Sequence, residues 1–356
     1  MEVWAIVLCV AGALCQGTYN ALRKHLINQK VLAEGEVRFV PQLLGAVFCG
    51  LWFLTAGEVL DQFAPSKPDL LLFAIGVLGS VAINVVIHYA NVRAYVVGDA
   101  SLVAPIQAMT PGLIVFAAML LGEQPSLLGY ASIALIAIGT YVHAREGAKG
   151  WKEFLLPLFV WTFLRAFEPL TPEEQKNKEL VKKNSNARAL FWAYLSALCG
   201  TVGLMFDSTF GRYGDAVLGS ALWCFLIGII FSPGVRSGRE KLRSEDEPHK
   251  PPAPFKERLW AHSWSILALG ALVGIQYPLF ATAFRLAPVA YVGSLKRLAI
   301  IVTVSLAVIY LGETKNAKRR LITASVIVLG AAGLAFDPTQ ANITNSFVES
   351  IVRLVR

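Results

Sequence analysis

The chain has 356 residues, 55% of them hydrophobic and only 16% charged, with a mean hydropathy of +0.56. A water-soluble chain carries roughly a quarter of its residues charged, so composition excludes an ordinary soluble domain. The net charge of +8 does not imply nucleic acid, because the basic residues flank apolar blocks, where they meet headgroups, and no aromatics interleave with them to stack bases.

A membrane helix needs about 20 apolar residues, and ten blocks approach that length. The first five are Val3–Leu22, Val37–Gly57, Asp69–Tyr89, Asp99–Leu121 and Pro125–His143; the second five are Ala189–Phe210, Ala216–Pro233, Ser263–Phe284, Pro288–Leu311 and Leu321–Phe336. The first block begins without a basic leader or a small-residue cleavage site, so it reads as a membrane helix rather than a removed signal. Between the fifth and sixth blocks lies a basic linker. Its stretch Phe154–Leu164, with Trp161 between Lys152 and Arg165, is too short to cross and suits an interfacial helix. The loop Gly234–Arg258 is charged and proline-rich, which predicts flexibility. The tail past Asp337-Pro338 has the makings of a short surface helix. All five cysteines fall in apolar blocks at no metal-like spacing, so they read as small buried hydrophobes, not as a disulfide framework.

The halves repeat. Span four runs from Ala100-Ser101-Leu102-Val103 to Leu121-Gly122-Glu123, and span nine runs over the same length from Ala290-Tyr291-Val292-Gly293 to Leu311-Gly312-Glu313. The spans that follow carry Gly139 and Gly330 at matching distance, and Ala13-Leu14-Cys15 matches Ala197-Leu198-Cys199. An odd number of spans per repeat inverts one half relative to the other, an arrangement used by alternating-access carriers with a midplane site. The predicted fold is therefore an all-α polytopic membrane protein of ten transmembrane helices in two inverted five-helix repeats. Its predicted divisions are a first repeat over 1–146, a linker over 147–187, a second repeat over 188–338 containing a flexible loop at 234–261, and a tail over 339–356.

Tyr89-Ala90 with Ala94, then Pro105, Pro111, Gly122-Glu123 and Gly139, resemble the five-helix repeat of EamA-type transporters of the drug/metabolite transporter superfamily. So do Ala290, the run Ser294-Leu295-Lys296-Arg297, Gly312-Glu313 and Gly330 in the second half, and Lys24 preceded by Asn20 in the first. Span nine departs from the pattern in lacking internal prolines, and the linker and second loop are longer. The resemblance implies export or exchange of small metabolites such as amino acids, with or without proton coupling, and it is weak on substrate.

Lys296 and Arg297 are the sharpest feature, because they sit in the middle of an apolar span. A charge there costs several kcal/mol unless paired or hydrated. Adjacent residues differ by 100° around a helix, so one cation is expected to face a cavity and the other to be tied to carbonyls or an acid. Span three carries Ser80, Asn84, His88, Asn91 and Tyr95 at steps of four, four, three and four, all on one helical face. Such a face must point into the protein or a wet cavity; it either lines a substrate path or holds helices together. Span one adds Gln16 and Asn20 beside Tyr19, with Lys24 either snorkelling or joining the site. Gln107 and Thr110 in span four, and Gln276 and Tyr277 beside Pro278 in span eight, extend the polar set. Pro105, Pro111 and Pro278 free carbonyls inside the membrane, for a cavity or for neighbouring helices. Asp207 is the acidic candidate, to pair a buried cation or carry a coupling proton; otherwise it pairs with Arg212 near the surface. Glu123 and Glu313 each follow a glycine at a turn and read as structural caps on the next helix.

No metalloprotease, nucleophile-elbow or Walker signature is present, so no catalytic residue, metal or cofactor is expected. The expected partners are a small-molecule substrate and the lipid bilayer, in a cell (inner) membrane, as monomer or homodimer. A lipid flippase and a non-transporting scaffold are the alternative functions. Most of the 32 lysines and arginines fall on one side of the ten spans. The positive-inside rule puts that side in the cytoplasm and the termini outside, whereas the resemblance implies cytoplasmic termini.

Overall fold

In a computed structural model of the chain, residues 2–61, 69–107, 109–110, 112–113, 126–144, 178–232, 254–287, 289–313 and 316–336 are described, and the regular elements among them are all α-helices. They are α1 (Glu2–Asn28), α2 (Glu34–Asp61), α3 (Leu70–Val97), α4 (Ala100–Gln107), α5 (Leu127–Ala144) and α6 (Lys178–Tyr213), followed by α7 (Ala216–Phe231), α8 (Phe255–Ala261), α9 (Ser263–Leu286), α10 (Val289–Leu295), α11 (Leu298–Tyr310) and α12 (Ala317–Ala335). Six segments among them are long and apolar enough to cross a bilayer: Val3–Asn28, Glu34–Thr55, Leu70–Val97, Asn184–Tyr213, Ser263–Leu286 and Tyr291–Tyr310. Large apolar side chains such as Leu14, Leu54, Leu78 and Ile309 stand on the outer surface, as they do where lipid is the solvent. The chain is an integral, multi-pass membrane protein.

Ten spans were expected; six reach spanning length among the described residues, and most of the fourth, Asp99–Leu121, lies outside them. Other described helices are shorter or more charged. At 16 residues, α7 rises only about 24 Å, and α5 is comparably short. The first turn of α12 carries Lys318, Arg319 and Arg320, and α4 gives way to a turn at Met109. Helices also outrun their apolar blocks. The linker was expected to reach residue 187, but α6 begins at Lys178; α3 continues to Val97, well past Tyr89. The loop expected to be flexible over 234–261 ends in helix α8, whose Arg258 donates to both oxygens of the fully buried Glu36, at 3.0 and 2.9 Å, and to the carbonyl of Val31. The expected interfacial helix at Phe154–Leu164 and the tail lie outside the described residues. The cysteines are free thiols: Cys9, Cys49 and Cys224 are buried, and Cys15 and Cys199 partly so.

Helix packing follows a reciprocal pattern. α1 lies along α9 and α3 along α6, while α2 packs on α7 and α5 on α12. The α5–α12 contact turns on two glycines facing each other's helix. A Cβ on Gly139 would sit 2.7 Å from Ile327 Cγ1, and one on Gly330 would sit 2.8 Å from the Ser132 carbonyl oxygen. Small residues allow this approach because lipid supplies no hydrophobic force between helices, leaving close van der Waals packing to hold them.

Polar ties between the halves gather at one end. Glu313 accepts from the backbone N–H of Ala100 and Ser101 at 3.0 and 2.9 Å, so it caps α4 from across the molecule rather than α12, the helix that follows it. The N-terminus of α4 faces the turn after α11 at that end, and its orphan donors draw the carboxylate. Arg320 completes the cluster through Asp99 and Ser101. His143 on α5 bonds Thr323 on α12 at 2.7 Å. Glu123 lies outside the described residues.

Gly330→Val should lower the melting temperature in detergent, by the about 1–3 kcal/mol of an overpacked core. Gly50→Val, where a Cβ meets nothing within 4 Å, should leave it unchanged.

Candidate functional site

The decisive local feature is a break in span nine. The sequence predicts one continuous helix from Pro288 to Leu311; instead α10 ends at Leu295 and α11 starts at Leu298, with Lys296 and Arg297 in the turn between. Hydrogen bonds through the break tighten from i−4 to i−3: Arg297 N–H to Ser294 O at 3.0 Å, Ala299 N–H to Lys296 O at 3.2 Å and Ile300 N–H to Arg297 O at 2.9 Å. Because the helix is interrupted, the 100° offset does not separate the two cations, and both line one cavity.

That cavity is about 90 Å³ in volume, larger than the space one water occupies. From α1 it takes Gln16, Tyr19, Asn20 and Arg23, and from α3 Asn84, Ile87, His88 and Asn91. From α6 it takes Ser196, Gly200, Gly203 and Asp207, and from α9 Gln276 and Tyr277. Thr110, past the end of α4, adds to the wall. Both halves of the chain therefore contribute. Gln107 ends α4, and its side chain is outside the described set, as are Pro111 and Glu123. Pro105 lies inside α4.

Among the described lining residues the charged groups are three cations and one carboxylate: Arg23, Lys296, Arg297 and Asp207. Asp207 accepts from the Ser80 hydroxyl, to which Asn84 also donates at 3.0 Å. It does not bond Arg212, whose Nε donates to the Phe284 carbonyl at 3.1 Å and ties α6 to α9. Lys296 Nζ stands 4.7 Å over the Phe280 ring. His88 leans on Trp223, with centroids 5.5 Å apart, and Trp223 on Tyr277 at 4.2 Å, so the buried Trp223 backs two lining residues. Gln16 Oε1, Gln276 Oε1 and Arg297 Nε are buried and bond no described group. A buried polar atom left so costs about 1–3 kcal/mol, and its position in a cavity wall suits a ligand.

Lys24 is not part of this wall. It is 7% exposed rather than snorkelling, and its Nζ donates to the carbonyls of Tyr95 and Gly98 at 2.6 and 2.9 Å. There it closes the C-terminal end of α3, where a cation is favoured. The sequence left Lys24 open between snorkelling and the site and did not point to Arg23, which is 1% exposed. Arg23 donates to Asn20 Oδ1 and Asn91 Oδ1, each at 3.2 Å. Its guanidinium lies 5.0 Å from the Tyr19 ring centroid and 4.5 Å from that of Tyr95. The steps from Gln16 to Asn20 to Arg23 are four and three, so the signal was there. The run Ser196, Gly200, Gly203 and Asp207, at steps of four, three and four, was equally readable and also missed.

Residues 3–145 match the model of a family described as the EamA-like transporter family. No curated protein matches the chain. Among solved structures, one described only as "Crystal structure of protein" has 15% sequence identity and a TM-score of 0.55, over 96% of this chain and 98% of its own; at that identity the likeness is one of fold alone. No group of three or more His, Cys, Asp or Glu residues suited to a metal occurs among the described residues.

The two kinds of cation environment separate in a stability assay. Lys24→Met removes two charge-assisted hydrogen bonds and should cost about 1.5–3 kcal/mol, read as a lower melting temperature in detergent. Arg297→Met removes a cation from the cavity wall and should melt no lower than the unmodified chain, the pattern of a residue kept for function rather than stability.

Proposed function

We propose that the chain is a secondary transporter that moves a small anionic or zwitterionic metabolite across the membrane by alternating access. The observation that carries this reading is the net-cationic cavity at the broken helix, walled by both halves of the chain. Broken membrane helices at the midplane are where carriers of other folds bind their substrates. The match of residues 3–145 to a transporter family supports the same class of activity.

The inverted-repeat architecture belongs to the same proposal. Exchanging the halves carries α1 onto α6, α2 onto α7, α3 onto α9 and α5 onto α12. The pairs α1–α9 and α6–α3 then interchange, while α2–α7 and α5–α12 map onto themselves. With Ala100 matched to Ala290, Gln107 at the end of α4 falls opposite Arg297. In this reading one half rocks against the other around the cavity, and the Glu313–Arg320 cluster, which ties α4 to the second half, is a latch that opens at one end. Asp207, bonded to Ser80 and close to Lys296, is the proposed site of proton coupling. A scaffold would be expected to fill its interior around Asn84, His88 and Lys296, where this chain has a cavity.

Purified protein in liposomes should accumulate labelled anionic metabolites. Lys296→Ala and Arg297→Ala should each lower uptake about tenfold or more, the 1.4 kcal/mol or above expected when a charge partner is lost. Unchanged uptake of a confirmed substrate in both variants would remove these residues from the site. Movement of a phosphate-bearing lipid instead would favour a flippase.

A further inference from the structure

Within the transporter reading, on which this inference rests, the cavity's charges are not one cluster. Asp207 is held at the level of Ser80 on α3, and the Lys296–Arg297 turn belongs to this end, since Lys296 sits over Phe280, the ring that packs on Gly12 of α1. Arg23 is held at the level of Asn91 on the same helix. From Ser80 to Asn91 is eleven residues of α3, a rise of about 16 Å, less what the side chains reach inward. Amides and aromatics fill the interval.

Arg23 is built as an anchor. Two tyrosine faces and two asparagine carbonyls restrain its guanidinium, which favours a fixed fork over a mobile charge. Its Nε is buried without a hydrogen-bond partner among the described residues. The charge count gives the second half of the argument. Three cations against one carboxylate leave an excess of two positive charges among the described lining residues. In a membrane interior each uncompensated charge is costly, and an occupant carrying two negative charges cancels that excess.

We infer that the cavity takes an extended organic dianion, with one anionic group on Arg23 and the other on the Lys296–Arg297 turn. A compact dianion reaches one end only, and a monoanion of the same length leaves one end unpaired.

The test is binding and liposome uptake of α,ω-dicarboxylates of three to eight carbons, each compared with the monocarboxylate of equal length and with inorganic phosphate. Some dicarboxylate longer than malonate should bind about tenfold or more tighter than its monocarboxylate and displace phosphate. Arg23→Gln should lower that preference to about twofold or less, and Arg23→Lys should restore part of it; melting temperatures of both variants report their folding. Transport of monocarboxylates or zwitterions with no preference for the extended dianion would overturn this inference and leave the transporter reading standing, as would phosphate binding equal to that of the best dicarboxylate. Failure of every anion to bind or move would overturn both.

Discussion

A lysine or arginine placed in hydrocarbon must be hydrated, paired or given a backbone carbonyl, because the bilayer supplies no partner of its own. This chain meets that demand in two ways, and the difference organises the molecule. At one end, charges are consumed by structure. Lys24 closes α3, Arg258 holds Glu36, and Glu313 with Arg320 fixes the start of α4. In the middle, Arg23, Lys296 and Arg297 face a shared cavity. The first set holds the fold together; the second is the proposed binding surface.

The break at Lys296–Arg297 places both of a buried pair of cations on the cavity proposed as the site. On an unbroken helix one of them would point away from the cavity. The turn brings both to it, at the cost of weaker i−3 hydrogen bonds. Around this point the packing is reciprocal, α1 on α9 and α3 on α6, with Gly139 on α5 facing Ile327 and Gly330 on α12 facing Ser132. Small contact residues let the helices approach closely. That suits two halves proposed to move as units.

Much of this was legible in the residues. The polar face of α3 could be read at helical spacing, as could the misfit of two cations in span nine and the matched glycines of the repeat. What escaped has a physical cause. Hydropathy ends a helix where polar residues begin, yet α1 runs six residues past Leu22 to Asn28 and α3 eight past Tyr89 to Val97. Arg23 therefore looked like a flanking charge when it is in fact interior. The partner of Glu313 was invisible for a different reason: the N-terminus it caps lies more than two hundred residues away in the chain. The helix break left no proline to announce it: Val289–Tyr310 contains none.

The central claim is that one cavity serves both faces of the membrane. It is tested most directly by a single cysteine at Gln276, a wall residue 3% exposed, in a chain with its own five cysteines replaced. Sealed vesicles of either orientation are treated with a membrane-impermeant thiol reagent, and Leu14→Cys, on the lipid-facing side of α1, serves as the control. The account predicts that the cysteine at 276 reacts from both sides, that bound anion slows both reactions, and that the control stays unlabelled. Reaction from one side only, with or without anion, would contradict it and leave a fixed pocket in place of a carrier.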